Sequence, residues 1–137
     1  MSEPRLTEER LKTWVTDQSD QECLCLAILR LDARFFEVKP RRPKGGPDGA
    51  RDIEAVFANQ ERVWGAVGFR KTATDDSKDK RWVQKKFKAD VDAAKEENST
   101  LWGFIFFTNI DLTPEEVTSL EQYARAKGLS FVEIRRI

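Results

Sequence analysis

Histidine is absent from this chain. Without an imidazole there is no Ser-His-Asp or Cys-His catalysis, no His-ligated zinc and no imidazole acid–base chemistry. Proton transfer is left to carboxylates, lysines, Tyr123 or metal-bound water. Cysteine is scarce, with Cys23 and Cys25 standing two apart in a predicted helix. Residues at i and i+2 of a helix do not face each other, so neither a disulfide nor a metal pair is expected. The thiols read as free and buried, which fits a reducing cytosol. A signal peptide is missing, and so is any apolar run long enough to span a bilayer. The expectation is a cytoplasmic chain with no membrane partner. Net charge is missing too, because Lys+Arg and Asp+Glu both number 24. The overall balance therefore gives no argument for nucleic acid, and only local clustering can.

What is present fits one globular domain over residues 1–137. Hydrophobic residues make up 39% and charged residues 35% of 137 positions, enough for a core under a rich surface. The stretch Gly45–Phe69 organises the chain. It reads as a glycine loop, a strand carrying Asp52 and Glu54, a turn at Asn59-Gln60, and a partner strand Val63–Phe69. Acids at i and i+2 of a strand share one face. Two carboxylates on one face, reached through a glycine loop, fit a divalent-metal site for phosphate chemistry, with Asp52 and Glu54 as ligands. The same pattern also fits an exposed antiparallel hairpin with its polar face in water. Gly65 and Gly68 inside the second strand point to a bulge or a close backbone approach.

Before this stretch, Thr7 caps a predicted helix to about Val15. Ser19-Asp20-Gln21-Glu22 reads as a capping box for a second helix to about Leu31. Cys23, Leu24, Ala27, Ile28 and Leu31 form its predicted apolar face. Phe35–Val38 is a short strand. It runs into Lys39-Pro40-Arg41-Arg42-Pro43-Lys44, with four positive charges and no acid. After the hairpin, Thr72–Asp79 reads as a polar loop. Lys80–Glu97 reads as an amphipathic helix with Val83, Phe87, Val91 and Ala94 inward. Its first half is basic, through Lys85, Lys86, Lys88 and their neighbours. Leu101–Phe107 is apolar at every position except Gly103, as in a strand buried on both faces. Thr113-Pro114-Glu115-Glu116 opens another helix, and Gly128 stops it. Leu129–Ile134 is a last strand. Helical crossovers between the last three strands predict parallel pairing there. The chain ends at Arg136-Ile137 straight out of that strand, which fits a domain continued by a C-terminal partner domain.

Gly46-Pro47-Asp48-Gly49-Ala50-Arg51-Asp52-Ile53, set in a helix, a meander, a helix and a buried strand, resembles the PD-(D/E)XK nucleases. The likeness is to Mrr-type restriction endonuclease domains and covers roughly residues 19–110. It implies an α/β, restriction-endonuclease-like, three-layer α/β/α fold with a mixed central sheet. It also implies a nuclease-like hydrolase of phosphodiester bonds in DNA or RNA, dependent on Mg²⁺ or Mn²⁺. Asp52 falls on the family's metal-binding aspartate, and Glu22 where such enzymes often keep a first-helix glutamate. The chain departs from the family on the third strand. Ala66-Val67-Gly68 stands where (Asp/Glu/Gln)-x-Lys is expected. Glu54 is the replacement carboxylate, and Lys71, Lys85, Lys86 or Lys88 the replacement cation. Arg41, Arg42, Lys44, Arg51, Lys86 and Lys88 are the expected contacts to nucleic acid. The pattern also looks like N-terminal modules of larger bacterial, defence-type proteins. That leaves a catalytically dead module binding nucleic acid or protein as the alternative, with a C-terminal domain or a homodimer as further partners.

Overall fold

A computed structural model of the chain describes residues 18–40, 53–70 and 76–137. The helix expected before Val15 and the glycine loop with Asp52 lie outside the described residues. In chain order the elements are α1 (Gln18–Leu31), β1 (Phe35–Pro40), β2 (Ile53–Phe57), β3 (Arg62–Gly68), α2 (Ser77–Glu97), β4 (Gly103–Thr108), α3 (Pro114–Ala126) and β5 (Phe131–Arg136).

The strands form a five-stranded sheet in the order β1-β2-β3-β4-β5. β1–β2 and β2–β3 pair antiparallel, and β3–β4 and β4–β5 pair parallel. A tight turn suffices for β2–β3, with Asn59 Oδ1 accepting from Glu61 N–H at 3.0 Å and Gln60 at positive φ. The parallel pairs need the α2 and α3 crossovers. One face of the sheet buries Ile53, Ala55, Val63, Val67, Ile105 and Phe107 under Cys25, Leu26 and Leu29 of α1. The other face buries Trp64, Ala66, Phe104, Phe106 and Val132 under α2 and α3. This is the mixed-sheet, three-layer α/β/α arrangement expected from sequence. No described helix is long and apolar enough to cross a membrane.

Where local signals were strong, the elements agree with them. β4 is buried at every residue. Val83, Phe87, Val91 and Ala94 are all fully buried. Thr113 caps α3 with Glu116 closing the box, and Gly128 takes φ 102° after its end.

Several expectations need correction. α1 already includes Gln18, so Ser19 stands inside the helix. An N-cap has non-helical backbone, so Ser19 is not the N-cap of this helix. The helix also buries a different stripe. Cys25, Leu26 and Leu29 are inside, whereas Cys23, Ala27 and Leu31 are exposed. From Cys23 to Leu29 every residue is apolar, so helical periodicity fixes no phase and the sheet chooses it. One thiol is therefore exposed rather than both buried. α2 begins at Ser77, because the Asp76 carboxylate accepts from Asp79 N–H at 2.8 Å and caps it. The expected loop through Asp79 is thus partly helix. β5 starts at Phe131, two residues late, because Leu129 N–H still bonds the Ala124 carbonyl of α3.

Candidate functional site

Strand pairing places the chain ends that matter along one edge of the sheet. Pro40 at the end of β1 faces Ile53 at the start of β2. Gly68 at the end of β3 faces Thr108 at the end of β4, and Thr108 faces Arg136 at the end of β5. α2 starts beside the same edge, since Arg70 Nε donates to Asp79 Oδ1 at 3.1 Å. Both sides of the glycine loop, the exit of β3 and the entry of α2 therefore converge. In α/β sheets, ligands gather at such carboxyl ends of parallel strands.

Glu54 projects from β2 on the face of Trp64, opposite to Ile53 and Ala55. It stands in register with Trp64 on β3 and with Lys39 on β1. Lys39 reaches that register through a bulge. The pairing slips between Phe36 and Lys39, and Glu37 sits at φ 50°. An extra residue there keeps Phe35 and Val38 on the α1 face while turning Lys39 to Glu54. Lys39 Nζ lies 3.2 Å from Glu54 Oε1. A cleft of about 70 Å³ opens beside them, lined by Glu37, Val56, Arg62 and Trp64 as well. Asp52, the other expected ligand, lies outside the described residues.

The third-strand positions are committed to the core. Ala66 is buried among the α2-side residues. At Gly68 a Cβ would lie 2.3 Å from Phe106 Cζ and 3.0 Å from its Cε2. Real Cβ atoms do not approach a ring so closely. Where the nuclease pattern carries a lysine, β3 carries a glycine and β4 fills the space with an aromatic ring. The expected bulge or backbone approach at Gly68 is in fact this side chain.

Among the described residues, the remaining candidates do not meet on one surface. Glu22 lies on α1, against the opposite face of the sheet from Glu54, and is half-buried. Lys85 is exposed on α2. Lys86 Nζ sits 3.1 Å from Asp90 Oδ2 on its own helix. Lys88 Nζ lies 5.3 Å from the Tyr123 ring centroid, on the side of α2 that faces α3. Lys71, Arg41, Arg42, Lys44 and Arg51 lie outside the described residues. Tyr123 is no general base, because its hydroxyl donates to both Asp92 oxygens at 2.8 and 2.9 Å. That bond, chiefly, raises its pKa above the usual tyrosine value.

No protein-family model matches this chain, and no curated protein matches it either. Its likeness is to a solved structure. The crystal structure of a repair endonuclease from Pyrococcus abyssi aligns with 21% identity and a TM-score of 0.49, covering 88% of this chain and 47% of that one. This chain thus spans about half the length of that structure. At that identity and score the likeness assigns no residue and no activity.

The described donors do not make a divalent-cation centre. Glu54 takes an ammonium, Glu22 lies across the sheet, and Ala66 and Gly68 offer no ligand. No group of three or more acidic, histidine or cysteine residues that could hold a metal occurs among the described residues. One cation at the convergent edge escaped the reading of the sequence. Arg70 falls between the predicted strand Val63–Phe69 and the predicted loop Thr72–Asp79, and its partner Asn109 stands 39 residues further on.

Proposed function

We propose that this chain is a nuclease-like domain that binds nucleic acid at the carboxyl edge of its sheet and does so without efficient cleavage. The observation that carries this reading is the Phe106 ring in the space of a Gly68 side chain. Strand β3 cannot present the lysine that would stabilise charge on a scissile phosphate, and its buried Ala66 supplies no carboxylate. Convergence supports binding. The basic segment beginning at Lys39 leaves the sheet at the edge where β3 ends and α2 begins. Glu54, neutralised by Lys39, would repel a phosphate less than a free carboxylate.

The test is binding and cleavage of labelled single- and double-stranded DNA and RNA. Affinity should fall steeply with salt, since phosphate contacts release counterions. Charge reversal at Arg41 and Arg42 should weaken all sequences alike. With Mg²⁺ or Mn²⁺ the labelled strands should stay essentially intact. Rapid metal-dependent cleavage, lost in Asp52→Ala, would restore an active nuclease. Absence of binding even at low salt would leave a protein-interaction module.

A further inference from the structure

The exit of β3 holds its arginine unusually firmly. Strand pairing between β3 and β4 stops at Gly68 and Thr108. Beyond it, the Asn109 side chain continues the ladder. Its Oδ1 accepts from Arg70 N–H at 2.9 Å and its Nδ2 donates to the Arg70 carbonyl at 2.9 Å. The Arg70 backbone is therefore tied to the end of β4. Its side chain is tied to α2. Nε donates to Asp79 Oδ1 at 3.1 Å, and the guanidinium carbon lies 4.9 Å from the centroid of the Trp82 ring. Asp79 is only 4% exposed.

These contacts use the root and one face of the guanidinium and leave its tip. Among the described residues neither terminal nitrogen of Arg70 has a hydrogen-bond partner, and the side chain is 32% exposed. An ion pair serving stability alone gains most from end-on, two-pronged contact. Here the carboxylate takes Nε and the fork stays open. A guanidinium already fixed in one rotamer loses little freedom when it binds an anion. Two parallel N–H donors on a planar fork match the oxygens of a phosphate. Glu54 and Arg70 lie on the same side of the sheet, at the edge where the glycine loop ends.

We propose that Arg70 is a phosphate-binding residue, held ready by Asp79, Trp82 and Asn109, and that it grips a backbone phosphate of the nucleic acid. The inference rests on the nucleic-acid reading above and adds to it the contact residue and its supports. Arg70 takes the place of the third-strand lysine as the cation at this edge, two residues further on. It binds the phosphate there and transfers no proton.

The experiment is oligonucleotide binding by fluorescence anisotropy over a salt series, with thermal melting of every variant. Arg70→Gln should weaken binding about tenfold and reduce the salt slope by about 1. Arg70→Lys should keep the slope and lose part of the affinity, because an ammonium neither forks nor stacks as well. Arg125→Gln, an equal charge loss at the exposed last turn of α3, should change affinity far less. Asp79→Asn separates positioning from simple charge. Removing an acid should strengthen anion binding by Coulomb attraction alone, whereas loss of the Arg70 support should weaken it. Titration with pyrophosphate, read at the Arg70 Nε and Trp82 indole NMR signals, distinguishes the source of the phosphate. Wild-type oligonucleotide binding that Arg70→Gln leaves unchanged overturns the proposal and spares the nucleic-acid reading. Pyrophosphate shifts at Arg70 without oligonucleotide binding support the anion site and overturn nucleic acid as its ligand. No response to either overturns both.

Discussion

Over β3, β4 and β5 the α2 side of the sheet is closed. Trp64, Ala66, Phe104, Phe106 and Val132 are each at most 5% exposed beneath α2 and α3. Over β1 and β2 the same side is open. Phe36 is 54% exposed, the Lys39 side chain is 61% exposed, and Glu54 and Val56 line a small cleft. Both regions belong to one continuous sheet, so strand geometry does not separate them. The crossover helices do. Parallel neighbours require helices above the sheet, and those helices exclude water from every residue they cover. The antiparallel pair β2–β3 is joined by a tight turn that brings no helix over it, and charge survives beside it at Glu54 and Lys39. The restriction-endonuclease pattern needs charge on β3, and in this chain β3 lies under α2.

The closed side depends most on Phe106. Phe106→Ala should destabilise the domain by about 3–5 kcal/mol in chemical denaturation, as ring deletions in closed cores do. Gly68→Ala should cost roughly 1–3 kcal/mol through overpacking. In the Phe106→Ala background the added methyl should cost far less, with a coupling on the order of 1 kcal/mol or more. Strict additivity would show that something other than the ring fixes residue 68.

Next comes the link between the two regions. Asp32, in the turn before β1, pairs with Arg34 at 2.8 Å and with Arg135 of β5 at 3.1 Å. Arg34 also reaches Glu133 of β5 at 3.1 Å. The Arg34 hydrogen bonds, above all, hold the Asp32 carboxyl well below the usual carboxylate range. A group whose pKa is depressed by folding stabilises fully above its unfolded pKa, about 3.9. It loses that contribution as pH falls through its folded value. With Arg34 41% exposed, solvent screening leaves about 1 kcal/mol. Acid unfolding below about pH 4 should therefore be shallower in Asp32→Asn than in wild type. Identical acid limbs would remove the staple.

Smaller effects belong to the open region. Glu54→Gln should change stability by less than about 1 kcal/mol, because its partner Lys39 is 61% exposed. A larger loss would mean that Glu54 supports the fold and is not held for binding. Phe36→Ser should fall within roughly 0.5 kcal/mol. A greater cost would show that this face is covered.

These contrasts also explain what could be read from the chain. β4 announced itself because burial on both faces leaves no polar residue to interrupt an apolar run. The inward stripe of α2 was legible because lysines and acids fill its other positions. α1 was misphased for the opposite reason. An almost wholly apolar segment carries no periodic signal, and Cys25 faces inward only because Ile53 and Ala55 lie opposite. The edge was half legible. Glu54 and Lys39 were visible as charges on predicted strands, but their pairing depends on the bulge at Glu37. The ring at Gly68 and the supports of Arg70 join residues about 40 apart or held on different elements. No local pattern encodes them.

The bulge in β1 has a consequence for how the molecule behaves among its own copies. β1 is an outermost strand, and an outermost strand invites another chain to add on. Glu37 kinks it in a left-handed conformation, Lys39 charges it, and Pro40 withholds an N–H from any newcomer. A second molecule approaching this border would find neither a straight template nor a full set of donors. Crowding many copies together should therefore not propagate the sheet through β1.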